Sequence, residues 1–272
     1  MHSSGVAVLD AASSTKPILT FRNFSLRCDK SDPQITFETP WNWELVRGKK
    51  VAVITNNKFL QYQLTAALAD LVPPVSGEII TNGVMSWPVG GSGGLDGKLR
   101  ISHALNFLST LYSDCLEKSH VRVDEFWDLL FEVGIHSRLL IKELSKSQKE
   151  FFYLALSVLF SFDCYLIDKA SSTKLMSTSA KPIRALFRKQ IDGKTIIATS
   201  ASGRLRRELC TEGIVLGSLG QILFAGGLSE ASQWADQNLE ATEMSESDDD
   251  QFELGLHLRN SEASDDNDDD FI

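Results

Sequence analysis

The sequence has few cysteines, and no two of them lie close together. Cys28, Cys115, Cys164 and Cys210 are far apart, and the 272 residues contain no Cys-X-X-Cys pair. In a chain of this length, that pattern indicates reduced thiols and excludes a disulfide framework. The five histidines are equally scattered and show no metal-ligand spacing. We therefore expect no metal site in this chain.

Long apolar runs are also missing. The longest mainly apolar stretch, residues 151–160, is shorter than the roughly 20 residues that a membrane-spanning helix needs. The N-terminal stretch "MHSSGVAVLDAASSTKP" lacks a basic start and has only a short apolar run, so it does not resemble a secretory signal. The sequence therefore predicts a cytoplasmic location.

The negative charge of the chain is concentrated at its C-terminal end. Residues 240–272 carry 13 acidic side chains and one arginine, a net charge of −12, although the whole chain has a net charge of −9. The remaining residues hold 26 Lys and Arg against 23 Asp and Glu, a net charge of +3. This balance and the lack of a basic stripe argue against a nucleic-acid-binding protein.

The acidic end includes "SESDDD" and finishes with "SEASDDNDDDFI". Such stretches cannot bury enough apolar area to offset the entropy lost on ordering, so residues 237–272 are predicted to be a disordered acidic tail. The tail either keeps the chain soluble or binds a basic partner. At the other end we expect a flexible leader over residues 1–16, which leaves residues 17–236 for one folded domain.

The first third of the domain alternates strand and helix patterns. A largely apolar strand, "KKVAVIT", is followed from Phe59 by apolar residues at helical spacing until "VPPVSG". The segment "GEIITNGVMSW" is predicted to be a hairpin with Asn82-Gly83 at its turn. Two earlier strands are predicted in "PILTFRNFSLRC" and "QITFETPWNWEL".

A glycine-rich loop over residues 88–97 leads into helical patterns at about 101–113 and 121–134. A long apolar helix is predicted within residues 139–162, followed by the buried strands "DCYLIDK" and "GKTIIATSA" and by the hairpin "GIVLGSLGQILFAGG". This order predicts an α/β domain that carries a helical subdomain at about residues 98–146.

Two segments resemble a known family. They are "SGEIITNGVMSWPVGGSGGLDGKL", continuing to "NFLSTLY", and "ELSKSQKEFFYLALSVLFSFDCYLIDK". Both are similar to ATP-binding-cassette (ABC) nucleotide-binding domains of the kind that powers capsular polysaccharide export, and the similarity runs from about residue 18 to 232. The resemblance implies a P-loop NTPase-like ABC ATPase domain with an antiparallel β subdomain and a helical subdomain.

This sequence departs most from the family pattern in the phosphate-binding loop. Glycines normally let the loop fold into a nest of N–H donors, a lysine neutralises the phosphates, and a Ser or Thr hydroxyl holds magnesium. Here no glycine occurs between Gly48 and Gly77. The resemblance places the degenerate loop on residues 55–62. The first glycine position falls on Thr55, the two later glycine positions on Lys58 and Leu60, the lysine position on Gln61 and the hydroxyl position on Tyr62, and Asn57 lies within the loop.

The other family motifs are altered as well. The magnesium carboxylate is kept as Asp168, but Lys169 stands where a glutamate should polarise the attacking water, and Ser200 replaces the switch histidine. The aromatic residue that stacks on adenine falls on or near Cys28. The signature motif reads "LSKSQ" and contains Ser145, Ser147 and Gln148, of which Ser147 stands at a glycine position. In the loop that senses magnesium and water, Asp96 stands where the family has a glutamine.

Each of these positions also has an ordinary structural interpretation. Ser147 and Glu150 fit a capping box at a helix start. Residues 55–57 fit a simple strand-to-helix turn, and Asp168 fits a turn acceptor. We expect these structural roles rather than catalytic ones.

The sequence therefore predicts a pseudo-ATPase that binds neither ATP nor a metal. It would act as a structural or modulating partner of an intact ABC ATPase subunit or of the exporter's membrane subunit, in a homo- or heterodimer, and would reach the inner face of the membrane only through that partner. Two alternatives remain: an active subunit that uses ATP and Mg²⁺, or a free-standing regulatory or scaffold protein that uses the cassette fold and the acidic tail.

Overall fold

The computed structural model describes residues 16–199 and 203–239. Most of the predicted leader and tail, and Ser200, lie outside these residues. Within them the strands are β1 (Leu19–Ser25), β2 (Trp41–Leu45), β3 (Lys50–Ile54), β4 (Ser76–Thr81), β5 (Met85–Pro88), β6 (Cys164–Ile167), β7 (Thr195–Ala198), β8 (Glu212–Leu216) and β9 (Ile222–Gly227). The helices are α1 (Lys58–Leu68), α2 (Ile101–Leu111), α3 (Ser113–Glu117), α4 (Val123–Glu132), α5 (Lys146–Leu159), α6 (Lys169–Met176), α7 (Lys181–Gln190), α8 (Gly203–Leu209) and α9 (Leu228–Asn238), with a 3-10 turn at Ile141–Glu143.

The strands form two sheets. The smaller is antiparallel with the order β2-β1-β4, and the larger has the order β5-β6-β7-β3-β8-β9. In the larger sheet the strands from β5 to β8 are parallel, and β9 pairs antiparallel with β8. The hairpin predicted over residues 213–227 is therefore confirmed.

The hairpin predicted at Asn82-Gly83 is wrong. β4 pairs with β1 in the small sheet, whereas β5 pairs with β6 in the large one. The turn is a crossover between sheets: the N–H of Asn82 donates to the carbonyl of Ile18, and the N–H of Val84 donates to the Asp163 carboxylate. Local turn residues favour a reversal of the chain, but they do not decide which strand becomes the partner.

The large sheet separates two apolar cores. Because successive side chains of a strand point to opposite faces, Tyr165 and Ile167 of β6 lie in a core with α2, α4 and α5, whereas Cys164 and Leu166 lie in a core with α1 and the small sheet. α1 and α5 therefore cover opposite faces of the sheet. Strands β3, β6 and β7 are neighbours, so the segments that follow them meet at one edge.

Candidate functional site

The candidate site lies at the carboxyl edge of the parallel sheet, where β7 runs between β6 and β3. Thr199, directly after β7, is fully buried, and its N–H donates to the carbonyl of Ile167 at the end of β6 (2.9 Å). Its hydroxyl lies 2.6 Å from that of Thr65 in α1. These bonds join the ends of β6 and β7 to α1, at the place where an ABC nucleotide site is expected.

The turn between β3 and α1 is organised by Asn57. Its side-chain oxygen accepts the N–H of Leu60 (2.9 Å), which makes it the N-cap of α1. Its carbonyl accepts the N–H of Gln61 (3.1 Å), and its own N–H donates to the hydroxyl of Thr55 (3.2 Å). A helix N-terminus binds phosphate through N–H groups that are not yet paired. Here the Asn57 side chain takes up one such group, the N–H of Leu60, while the bond from Gln61 is the first regular bond of the helix.

The amide nitrogen of Asn57 makes two further bonds to distant segments. It donates to the carbonyl of Cys28, just after β1 (2.7 Å), and to the carbonyl of Ser218, between β8 and β9 (2.8 Å). One side chain thus joins three segments across the site. Cys28 occupies the region of the adenine-stacking residue, but it is only 4% exposed, and burial raises the pKa of its thiol to about 11. It is a neutral core residue that presents no aromatic face.

The glycine positions of the loop are filled by ordinary residues in ordinary conformations. None of residues 55–62, all of which the structure describes, has a positive φ, so this turn does not form the alternating backbone nest that holds phosphates. Leu60, at a glycine position, is completely buried together with Leu64. Lys58 is exposed at the start of α1, and Tyr62 is half-buried. Gln61, at the lysine position, donates to the carbonyl of Thr55 (3.3 Å).

Asp168 follows β6 and caps α6. One carboxylate oxygen accepts both the N–H (2.7 Å) and the hydroxyl (2.6 Å) of Ser171. The next residue, Lys169, is exposed at the first position of α6. No group of three or more His, Cys, Asp or Glu that suits a metal ion occurs within residues 16–199 and 203–239. The Asp168 carboxylate oxygen that caps α6 is therefore already engaged within the protein.

The signature segment begins α5, but the predicted cap is wrong. Ser145, not Ser147, is the N-cap: its hydroxyl accepts the N–H of Gln148 (3.3 Å), and the Gln148 side chain accepts the N–H of Ser145 (3.1 Å). Gln148 also donates to the carbonyl of Val133 (3.0 Å). Leu144 is buried directly before this point, which ends the preceding turn and fixes the helix start two residues earlier than expected. The hydroxyl of Ser147 lies 3.2 Å from that of Ser145 in the first helical turn.

Asp96 is not brought into this arrangement. Asp96 is exposed in the loop before α2, where its carboxylate accepts the N–H of Lys98 (2.7 Å) in a local turn. Ser200 lies outside the described residues. The structure thus brings together Cys28, Asn57 and the ends of the central strands, while the contacts of Asp96 are local.

The sequence of this chain is similar to those of known ATP-binding proteins. The chain is 31% identical over 185 residues to the polysialic acid transport ATP-binding protein KpsT of Escherichia coli, which covers 68% of this chain and 83% of KpsT. It is 30% identical over 178 residues to the ATP-binding protein BexA of Haemophilus influenzae, covering 64% of this chain and 78% of BexA. No family model matches the chain. The chain belongs to the ATP-binding proteins of capsule and polysaccharide export ABC transporters.

Solved structures confirm the predicted ABC ATPase fold. The ATP-binding subunit of an ABC transporter superposes with a TM-score of 0.59 at 14% identity, covering 89% of this chain and 99% of that one. An inward-facing metal-chelate type ABC transporter superposes with a TM-score of 0.55 at 12% identity, covering 79% of this chain and 85% of that one. At such identities the likeness concerns the fold alone.

In this ABC ATP-binding protein, sequence reasoning missed how the glycine-rich loop after β5 is anchored. The hydroxyl of Ser157, inside α5, accepts the N–H of Gly90 (2.8 Å) and the indole N–H of Trp87 (3.0 Å). The ammonium of Lys174, in α6, donates to the carbonyl of Gly90 (2.9 Å). Only the polar character of Ser157 within an apolar helix signalled such a role in the sequence. The loop is therefore tied to both α5 and α6.

Proposed function

We propose that this protein is a degenerate ABC-type ATP-binding subunit, a pseudo-ATPase that acts as a non-hydrolysing structural or modulating partner of a polysaccharide exporter. The observation that carries the proposal is the cap made by Asn57. Its side-chain oxygen takes up the N–H of Leu60 in the first turn of α1, and its amide nitrogen donates to the carbonyls of Cys28 and Ser218 across the region where a nucleotide would lie.

Charge supports the same conclusion. Catalysis in this family is positioning and charge stabilisation, with little covalent work for the protein. A hydrogen bond to a charged group contributes about 1.5–3 kcal/mol, so losing the lysine, the nest and the glutamate together exceeds any modest nucleotide affinity. Lys169 also places a positive charge where a carboxylate should orient water.

The partners follow from the relatives. KpsT is named for polysialic acid transport, and the CtrD protein of Neisseria meningitidis serogroup B, 27% identical over 175 residues (64% of this chain and 79% of CtrD), is named for capsule polysaccharide export. We expect the chain to associate with the membrane subunit of such an exporter, with an intact ABC ATPase subunit, or with both, on the cytoplasmic side. A homodimer would contain no competent site, whereas a heterodimer with an intact subunit would keep one intact phosphate loop.

The first test is nucleotide binding by the purified full-length chain. A ligand at a hundred times its Kd stabilises a protein by about 2.7 kcal/mol, so a saturating concentration of ATP with Mg²⁺ should clearly raise the melting temperature of a competent subunit. We expect no rise and no hydrolysis. Lys169→Glu is the matched control: it restores the catalytic carboxylate but leaves the Asn57 cap, so it should remain inactive. Magnesium-dependent ATP binding by the unmodified chain would favour the active-subunit alternative.

The second test concerns partners. The chain should copurify with the exporter's membrane subunit or with an intact cassette when these are expressed together. If it associates with neither, the modulating role is wrong and the free-standing scaffold becomes the better interpretation. Deleting residues 240–272 separates the two roles of the tail, because partner binding that disappears with the tail assigns it to recognition.

A further inference from the structure

Positive charge is concentrated in one part of the folded body. Residues 181–207 contain eight Lys and Arg and one Asp, a net charge of +7. The rest of the body, residues 1–180 and 208–239, contains 18 Lys and Arg and 22 Asp and Glu, a net charge of −4. These basic residues are divided between two helices, so they form no continuous stripe along a single helix.

The two helices, α7 and α8, lie side by side. The connections β6-to-β7 and β7-to-β8 run in the same direction along the sheet, and such connections are right-handed, so both helices cover the same face. The guanidinium of Arg188 in α7 donates to the carboxylate of Glu208 in α8 (2.9 Å from Nε). Lys181, Lys189, Arg204 and Arg207 are exposed. We call this surface the α7–α8 basic face.

Two arginines of α8 converge at its start. Arg207 Nη1 lies 3.4 Å, and Arg206 Nη2 4.0 Å, from the position that a Cβ on Gly203 would occupy. Burial lowers the pKa of Arg206, the nearby Arg207 lowers it further, and Asp236 opposes the change. The Nε of Arg206 is buried and has no hydrogen-bond partner within the described part of the chain. A buried donor without an acceptor is unfavourable, and so is a second cation beside it. An anion that contacts the Nη groups of Arg206 and Arg207 would offset the repulsion between the two cations.

We propose that the α7–α8 basic face binds an acidic segment of a protein partner, with a carboxylate received by Arg206 and Arg207. The planar guanidinium can match a carboxylate with two parallel hydrogen bonds. On the same face, Arg188 donates from Nε and Nη2 to one carboxylate oxygen of Glu208, so a carboxylate already pairs with an arginine here. The proposal is independent of whether the chain binds nucleotide.

Other anionic partners fit this face less well. Helices that bind membrane surfaces combine basic residues with exposed apolar ones, and none of the exposed large hydrophobic side chains lies within the described residues of 181–207. Single-stranded nucleic acids need aromatic side chains for base stacking, and the one aromatic residue of this segment, Phe187, is buried. Carboxylates require only the charge and geometry that the arginines supply.

The test uses the full-length chain and a synthetic peptide of alternating Glu and Ser, with a Gln and Ser peptide as the uncharged probe. Binding is measured by fluorescence anisotropy at low and at high salt. Arg206→Ala/Arg207→Ala should weaken binding of the acidic peptide by at least about tenfold, because charged groups of this kind dominate such contacts. Lys98→Ala/Lys118→Ala removes the same charge from exposed positions elsewhere and should change binding less than about twofold.

A further variant separates geometry from charge. Arg206→Lys/Arg207→Lys keeps the charge but loses paired hydrogen bonding, so it should recover only part of the affinity. Melting temperatures of all variants identify any loss that comes from unfolding. Equal weakening by the two alanine pairs, full recovery with lysine, or the absence of peptide binding would overturn the proposal. Tighter binding to anionic vesicles or to single-stranded RNA than to the acidic peptide would also reject the protein partner.

Discussion

Strands β3, β6 and β7 form the middle of the parallel sheet, and the segments that follow them form its carboxyl edge. Nearly every residue of the three strands is buried, and the side chains of β3 and β6 alternate between the two cores. At the edge, Thr55, Asn57 and Asp168 are only half-buried, and their polar groups are hydrogen-bonded within the protein. The interior keeps the pattern of an ABC ATPase, while the edge has lost its glycines and its glutamate.

The strands and the carboxyl edge therefore have different requirements on their residues. A buried strand needs apolar residues of suitable volume, and many sequences meet that need. A phosphate loop needs particular backbone angles and particular charges, which few residues supply. The fold therefore persists at 31% identity to KpsT, and under the proposed function the edge would no longer carry the family's residues.

The largest effect should come from breaking the interior. Leu166→Ala removes a fully buried side chain from the middle strand β6 and should lower the free energy of unfolding by about 2–5 kcal/mol through the cavity that it leaves. Leu111→Ala makes the same chemical change at a position that is 59% exposed, so its effect should stay within about 0.5 kcal/mol. Chemical denaturation measures both. Similar losses in the two variants would mean that burial does not distinguish these sites.

A smaller but clear effect should come from the edge. Asn57→Ala removes the cap of α1 and the donor to two carbonyls, and should lower the free energy of unfolding by about 2–3 kcal/mol. Asn57→Ser keeps a capping oxygen and loses only the ties to Cys28 and Ser218, so it should be less destabilising than Asn57→Ala. If the two variants are equally stable by chemical denaturation, the cap contributes nothing measurable.

Much of the fold could be predicted from the sequence because periodicity is local. The buried strands β3, β6 and β7 and the amphipathic helices α2 and α4 lie where their apolar patterns place them. The helices α6 to α9 were missed. The start of α6 depends on a cap that the end of β6 supplies, Asp168. The sequence also did not show that β4 and β5 belong to different sheets, so the turn at Asn82-Gly83 was assigned to a hairpin.

At the site, sequence comparison could identify which positions had changed but not what replaced their function. Asn57 contacts Cys28 and Ser218, which are 29 and 161 residues away. No local pattern contains such contacts, because they arise only when the small sheet and the β8–β9 turn pack beside α1. The cap of α5 was assigned to Ser147 because Ser147 and Glu150 fit a capping box, whereas in the structure Ser145 and Gln148 form it.

At the edge, a third prediction distinguishes a capping role of Asp168 from a magnesium-binding role. As the N-cap of α6, Asp168 should be replaceable by Asn with almost no loss, because both residues cap well, whereas Asp168→Ala should cost about 1 kcal/mol. A magnesium ligand would behave differently, since an amide is a poor substitute for a carboxylate. Chemical denaturation with and without Mg²⁺ separates the roles. Stabilisation by Mg²⁺ that is lost in Asp168→Asn would restore a metal-binding role.

The smallest expected effect concerns the thiol of Cys28 beside the capped turn. Its folded-state pKa is raised to about 11 from an ordinary 9.0, so the unfolded thiol ionises first as pH increases. The free energy of unfolding should therefore fall between about pH 9 and 11, and Cys28 should account for about 1 kcal/mol of the decline by about pH 10. Cys28→Ala should flatten this decline when denaturation is measured under reducing conditions at about pH 7, 9 and 10. An identical decline in both proteins would show that the Cys28 thiol ionises equally easily when folded, and thus that the region expected to receive adenine is open to water.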